Sequence, residues 1–191
     1  MLKDLTDFGI AQKYFEIKRI KDFPNSKKEG IDHIETKAID FDTTAEKLCR
    51  EQGQHQFKSC DALDIIYSKN RINFIEFKQL DYKEDAEEWI QQWELSRKIK
   101  ESRDVLINII RKKNFQHPAK MNKFYSCEKN IIISFSLTDN PRYNLAYLLM
   151  YARAEEIIKK QFYNKSIQDE NFNEPICINM YEFDAKYPEY V

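Results

Sequence analysis

Residues 59–80 read SCDALDIIYSKNRINFIEFKQL, and the fold turns on how this stretch is taken. Two apolar runs, 62–67 and 72–80, are rich in β-branched and aromatic residues, which favour strands. Ser68, Lys69, Asn70 and Arg71 between them are polar, and Asn70 tolerates left-handed backbone, so a β-hairpin is expected. Glu76 and Lys78 fall two apart in the second strand and point to the same face. With a two-residue loop at Lys69 and Asn70, or a four-residue loop over 68–71, Tyr67 faces Ile72. Leu63 then faces Glu76, and Asp61 faces Lys78. Opposed side chains share a face and diagonal neighbours lie about 7–8 Å apart. Asp61, Glu76 and Lys78 therefore converge on one patch, with Asp64 on the other face. A three-residue loop would reverse the parity and bring Asp64 to Glu76 instead.

Two carboxylates and an ammonium become a mechanism when a divalent cation sits between the acids. Mg²⁺ and Mn²⁺ prefer oxygen ligands and commonly take one or two carboxylates, with waters and substrate phosphates completing the shell. Such a cation polarises a phosphate and lowers the pKa of its bound water. Lys78 could orient that water or stabilise charge building on the phosphate oxygens. The plain alternative is a cross-strand ion pair worth a few tenths of a kcal/mol. Phe74, Ile75, Phe77 and Leu80 make both faces of the second strand apolar, however, and charge in a central strand is costly unless paired or used.

Cys60-Asp61, followed after a short hairpin by Glu76-Phe77-Lys78, resembles the PD-(D/E)xK, or restriction-endonuclease-like, nuclease superfamily. The resemblance implies an α/β sandwich with a mixed sheet inside, and a metal-dependent nuclease acting on DNA or RNA, with DNA favoured. It implies Asp61 and Glu76 as metal ligands, the backbone carbonyl of Phe77 as a third, and Lys78 as the catalytic lysine. Cys60 stands where the superfamily usually has proline. The superfamily often adds a glutamate from a helix ahead of the aspartate strand, and Glu46 is the best match, with Glu51 behind it. Thr43 and Glu46 also read as a capping box, in which Glu46 returns to the start of its own helix. The alternative function is a catalytically silent module of the same fold that binds nucleic acid or a protein partner.

The chain of 191 residues, 42% hydrophobic and 33% charged, suits one domain with a full-sized core. The nuclease-like core is expected over residues 43–137, with extensions at both ends. Thirty-one Lys and Arg against 32 Asp and Glu leave a net charge of −1. A free-standing non-specific nucleic-acid binder usually carries excess positive charge, so binding would need a local basic face, a metal, a homodimer or a partner subunit. No transmembrane run and no signal-peptide pattern is visible, and a cytoplasmic location is expected. Cys49, Cys60, Cys127 and Cys177 show no C-x-x-C spacing and read as reduced thiols. Cys49, His55 and Cys60 raise a zinc site but lack a fourth ligand nearby.

Elsewhere, residues 2–23 are expected to form an amphipathic helix covering one sheet face, and residues 31–41 an edge strand. A short helix should open near Asp42 and stop before Gly53. Residues 83–113 read as one long helix with Trp89, Trp93, Ile99, Leu106 and Ile110 along its stripe. Acids gather at its start and bases at its end, as a helix dipole prefers. Arg97, Lys98 and Lys100 are candidates for phosphate contacts, at least two of them reading equally as solvated charges. Residues 111–123 form the one dense basic stretch, either a nucleic-acid grip or a solvated loop. Residues 130–137 are a buried strand, 143–163 a helix, and 175–183 a final strand near a sheet edge.

Overall fold

The structure, a computed structural model, describes residues 15–53, 57–81, 86–114, 122, 124–138, 145–163 and 172–191. Its centre is the hairpin of β3 (Ala62–Ile66) and β4 (Arg71–Asp81). Ile66 faces Arg71, Leu63 faces Phe74 and Ala62 faces Ile75. The loop thus begins one residue earlier than expected: a 3-10 turn over Tyr67–Lys69, then Asn70 at φ 50°. The register lies two residues from the one expected, and a shift of two preserves which side chains share a face. Continued by one step, it sets Asp61 across from Glu76 rather than Lys78.

Around this hairpin the sheet has, among the described residues, six strands in the order β1 to β6, with β1 (Ile17–Arg19), β2 (Lys37–Asp40), β5 (Glu128–Thr138) and β6 (Ile176–Asn179). Strands β1 to β4 pair antiparallel, while β4, β5 and β6 run parallel. Parallel neighbours need crossovers, and these carry the helices. The first contains α2 (Ala86–Gln92) and α3 (Leu95–Asn114); the second contains α4 (Leu145–Tyr163). Crossovers of one hand, taken in one direction across a sheet, come down on one face. Ile99, Leu106 and Ile110 of α3 and Ala154 and Ile158 of α4 accordingly share a core with Leu63, Phe74 and Ile131. Helix α1 (Phe41–Gln52) packs there too, through Phe41, Ala45 and Leu48. The chain is α/β, an open mixed sheet flanked by helices. Among the described residues no helix is long and apolar enough to cross a membrane.

The other face is covered differently from the expectation. Of the helix expected over 2–23, residues 1–14 lie outside the described residues, while 17–19 form the edge strand β1 and Ile20–Asp22 a 3-10 turn. Ile20, Phe23, Ile31 and Ile34 fold onto Ala62, Ile75, Phe77 and Ile132 as a loop. Of the residues whose spacing suggested that helix, Phe15 and Ile17 pack on the helix-covered face and Ile20 on the other, as a strand passing into a turn allows. The edge strand expected over 31–41 is confined to Lys37–Asp40, since Ile31 and Ile34 belong to that loop, and it lies inside the sheet because β1 takes the edge beside it. The final strand keeps to the sheet edge but stops at Asn179. Beyond it a turn and α5 (Phe183–Lys186) return Phe183 and Tyr187 to the same face.

The long helix expected over 83–113 is two helices. Glu94 adopts φ 49° and breaks it without any Gly or Pro. Trp93 and Leu95 on either side are both buried, so the bend is held by packing against local preference. Helix α1 begins at Phe41, and its cap is Asp40, whose carboxylate accepts the Thr43 backbone N–H at 3.1 Å. The capping box of Thr43 and Glu46 therefore does not form, because Asp40 has taken the donor it would use. Gly53 ends the helix at φ 61°, receiving the left-handed turn where a Cβ is penalised.

Candidate active site

Asp61 lies one residue ahead of β3 and is tied to three elements. Its carbonyl accepts the Phe41 N–H at the start of α1 (3.1 Å), and its Oδ2 accepts the Phe77 N–H of β4 (2.6 Å). The preceding Cys60 N–H donates to Ser102 Oγ of α3 at 2.7 Å. The carboxylate is only 5% exposed. Its position is thus fixed by backbone hydrogen bonds and leaves little rotamer freedom to lose.

Glu76 projects from the centre of β4 to the same face and has no exposed surface. Its Oε1 accepts from two ammoniums, Lys78 Nζ and Lys98 Nζ, each at 2.5 Å. Its Oε2 is buried and, among the described residues, has no hydrogen-bond partner. An orphaned carboxylate oxygen carries its full desolvation cost, on the order of 1–3 kcal/mol or more. Lys78 also donates to the carbonyl of Phe77 at 3.1 Å, drawing that oxygen into the group. The Phe77 ring points to the opposite face, against Phe183.

Two further acids stand close by. Glu29, on the loop after Pro24, and Asp42, in the first turn of α1, each feel the charge of Glu76 and of Lys98. Burial, followed by the charge of Glu76, pushes Asp61 well above the usual carboxylate range, against the pull of Lys78 and Lys98. Burial also raises Glu29, and it raises Asp42 despite a hydrogen bond from Ser59. For Lys78 burial acts to lower the pKa, but Glu76 and Asp61 outweigh it and the ammonium is held more firmly. Lys98 is balanced the same way. When Glu29, Asp42, Asp61 and Glu76 are all ionised, Lys78 and Lys98 neutralise only half their charge. A cleft of about 240 Å³ opens onto Asp61, bordered by Glu29, Asp40, Asp42 and Glu46.

Asp61, Glu76, Lys78 and the Phe77 carbonyl therefore come together as expected from the hairpin, while Asp64 goes to the opposite face, bonded by Tyr187 Oη at 2.9 Å. Glu46 borders the cleft, but its half-exposed carboxylate pairs with Arg50 one turn on, at 3.3 Å. Of the three α3 cations, Lys98 enters the site. Arg97 pairs with Glu94 and Glu101, and Lys100 is exposed. Trp93 is buried, as a core residue. Sequence reasoning missed Glu29 and Asp42. Both sit in irregular or capping positions, where no periodicity shows which way a side chain faces. Residues 24–30 read as a polar loop, and Gly30, at φ 69°, turns the chain there, but neither says where Glu29 points.

Cys49 and Cys60 are buried free thiols, and His55 lies outside the described residues. Among the described residues no group of three His, Cys, Asp or Glu is set closely enough to hold a metal by itself. The oxygens of Asp61, the empty Oε2 of Glu76 and the Phe77 carbonyl form a hard, oxygen-only set. It suits a cation that keeps several of its waters, as Mg²⁺ does. No protein family, curated protein or solved structure matches the chain.

Proposed function

We propose that the chain is a metal-dependent nuclease of the PD-(D/E)xK type, built on a restriction-endonuclease-like sandwich, that hydrolyses phosphodiester bonds of nucleic acid, DNA ahead of RNA. The observation that carries this reading is the Glu76 carboxylate: fully buried, one oxygen claimed by two lysines and the other empty, beside a second buried carboxylate. A structural ion pair has no use for an orphaned oxygen in a central strand. Mg²⁺ or Mn²⁺ fits the donors described.

When bound, such a cation polarises the phosphate and acidifies a coordinated water. Asp61 and Glu76 hold it, with the Phe77 carbonyl as a third oxygen. The Phe77 N–H on Asp61 Oδ2 fixes that carboxylate's orientation, as outer hydrogen bonds do for metal ligands. Lys78, fixed between Glu76 and the Phe77 carbonyl, orients the attacking water and stabilises charge gathering on the phosphate oxygens. The cleft along Glu29 and Asp42 brings water as far as Asp61. A net charge of −1 makes a local basic face or a partner subunit part of this proposal, supplying grip on the phosphate backbone, and a homodimer would serve cutting of both strands. The second reading is a catalytically silent module, favoured by the fact that both lysines already occupy Glu76.

The test is cleavage of labelled single- and double-stranded DNA and RNA with Mn²⁺ or Mg²⁺, parent beside Glu76→Ala and Glu76→Gln. Metal-dependent cutting by the parent, lost at least about a hundredfold in both variants, supports the nuclease. Cutting by the variants at the parent rate sinks it. Silence on every substrate, with all proteins folded, favours the module.

A further inference from the structure

Lys98 reaches the site from a different element than the rest, and its surroundings are frustrated. Two ammoniums share Glu76 Oε1 while Oε2 stays empty, and the charge of Lys78 acts against that of Lys98. Lys98 also sits in the first turn of α3, where the helix dipole disfavours a cation and no acidic residue offsets it. Nothing in its own helix turn favours a lysine there; what holds it is Glu76 across the site, with the charge of Asp61 behind it. Lys78 is held twice, by Glu76 and by the Phe77 carbonyl of its own strand, whereas the hydrogen bond of Lys98 is to Glu76. Among the described residues Lys98 thus has one bond fewer than Lys78 and is the more readily displaced of the two. The acids of the site outnumber the ammoniums by two charges when ionised, which one divalent cation would balance.

We propose that Lys98 is the resident counter-ion of this site: it occupies Glu76 in the metal-free chain, is exchanged off that carboxylate by a divalent cation, and then presents its ammonium to the substrate phosphate. The inference rests on the metal-site reading above but not on which bond is cut. A lysine that merely supports the fold would stabilise the carboxylate without regard to metal. A resident counter-ion competes with the metal, so removing it makes the cation bind more tightly.

The experiment is calorimetric titration of the full chain with Mn²⁺, comparing the parent with Lys98→Met, Lys98→Gln and Lys98→Arg, folding checked by circular dichroism. Loss of one competing charge a few ångströms from the cation should tighten Mn²⁺ binding by at least about tenfold in the Met and Gln variants. The Arg variant, which keeps the charge, should return toward the parent. The Gln variant, polar and of similar length, reads the same effect if Met disturbs folding. Equal or weaker Mn²⁺ binding in the neutral variants, or no binding in any protein, overturns the inference. Tighter binding in a chain that cuts no substrate supports the counter-ion and removes the nuclease. If a substrate is found, the neutral variants should need less metal yet show a lower kcat.

Discussion

The two faces of the β3–β4 hairpin both bury charge, and they treat it in opposite ways. On the face away from the long helices, Asp64 receives Tyr187 Oη, and Tyr187 Oη in turn receives Asn73 Nδ2 at 3.1 Å. Asn73 Oδ1 accepts from Asn130 at 3.0 Å, and Asn130 Oδ1 from Asn173 at 2.7 Å. The chain of donors and acceptors runs across three strands and locks the C-terminal turn onto the sheet. Burial, then the charge of Asp64, raises the Tyr187 phenol and keeps it a donor. On the helix-covered face, Asp61 and Glu76 have comparable burial but an unfilled oxygen, repelling neighbours and an open cleft. A closed network is what burial demands for stability alone. The open one, in the same hairpin, marks the candidate site.

Substitutions can break this contrast. The largest effect on stability should come from Asp64→Ala, which strands the Tyr187 hydroxyl and should cost about 2 kcal/mol or more in urea unfolding. Asp61→Asn keeps an oxygen for the Phe77 N–H while removing a charge that burial opposes. The metal-free variant should therefore be at least as stable as the parent at pH 7. If both substitutions destabilise equally, the two faces do not differ in kind.

The second effect is on pH dependence. Asp61, Glu29 and Asp42 have folded pKa values above their unfolded ones near 4. Between those values each of these groups binds more proton in the folded chain than in the unfolded one, so its contribution to stability is full below about pH 4 and is lost as pH rises through its raised value. Glu16, Glu101, Glu128 and Asp184 are lowered and act the other way, so the measurement is the difference between the metal-free parent and Asp61→Asn, in which the parent should lose stability relative to the variant as pH rises above about 4. A parent that gains on the variant over that range would contradict the electrostatics of the site. The smallest effect should be Glu46→Ala. An exposed i,i+4 pair with Arg50 is worth about 0.3–0.5 kcal/mol, and Mn²⁺ binding should hardly change. A large loss of Mn²⁺ affinity would return Glu46 to the ligand set.

Local chemistry carried the hairpin, its left-handed Asn70 and the common face of Asp61, Glu76 and Lys78, because side-chain direction in a strand follows counting by two. The loop began one residue earlier than expected, and the site survived because a two-residue change of register leaves parity untouched. The helix break at Glu94 was not legible: no Gly or Pro announces it, and the bend is held by Trp93 and Leu95 packing into one core and by the ion pairs of Glu94 with Lys58 and Arg97. That break also inverted the charge argument, since Lys98 sits at the start of a helix rather than midway along one.

The sequence by itself determined the alternating strands, the acids within them and the absence of any surplus positive charge, all of which depend on neighbours a few residues apart. The tertiary structure alone decided that Glu29, Asp42 and Lys98 gather around Glu76, that Glu46 turns to Arg50, and that Asp64 is spent on Tyr187. These outcomes join residues up to 123 positions apart. They are set by which elements pack over each face of the sheet, and no local periodicity encodes that.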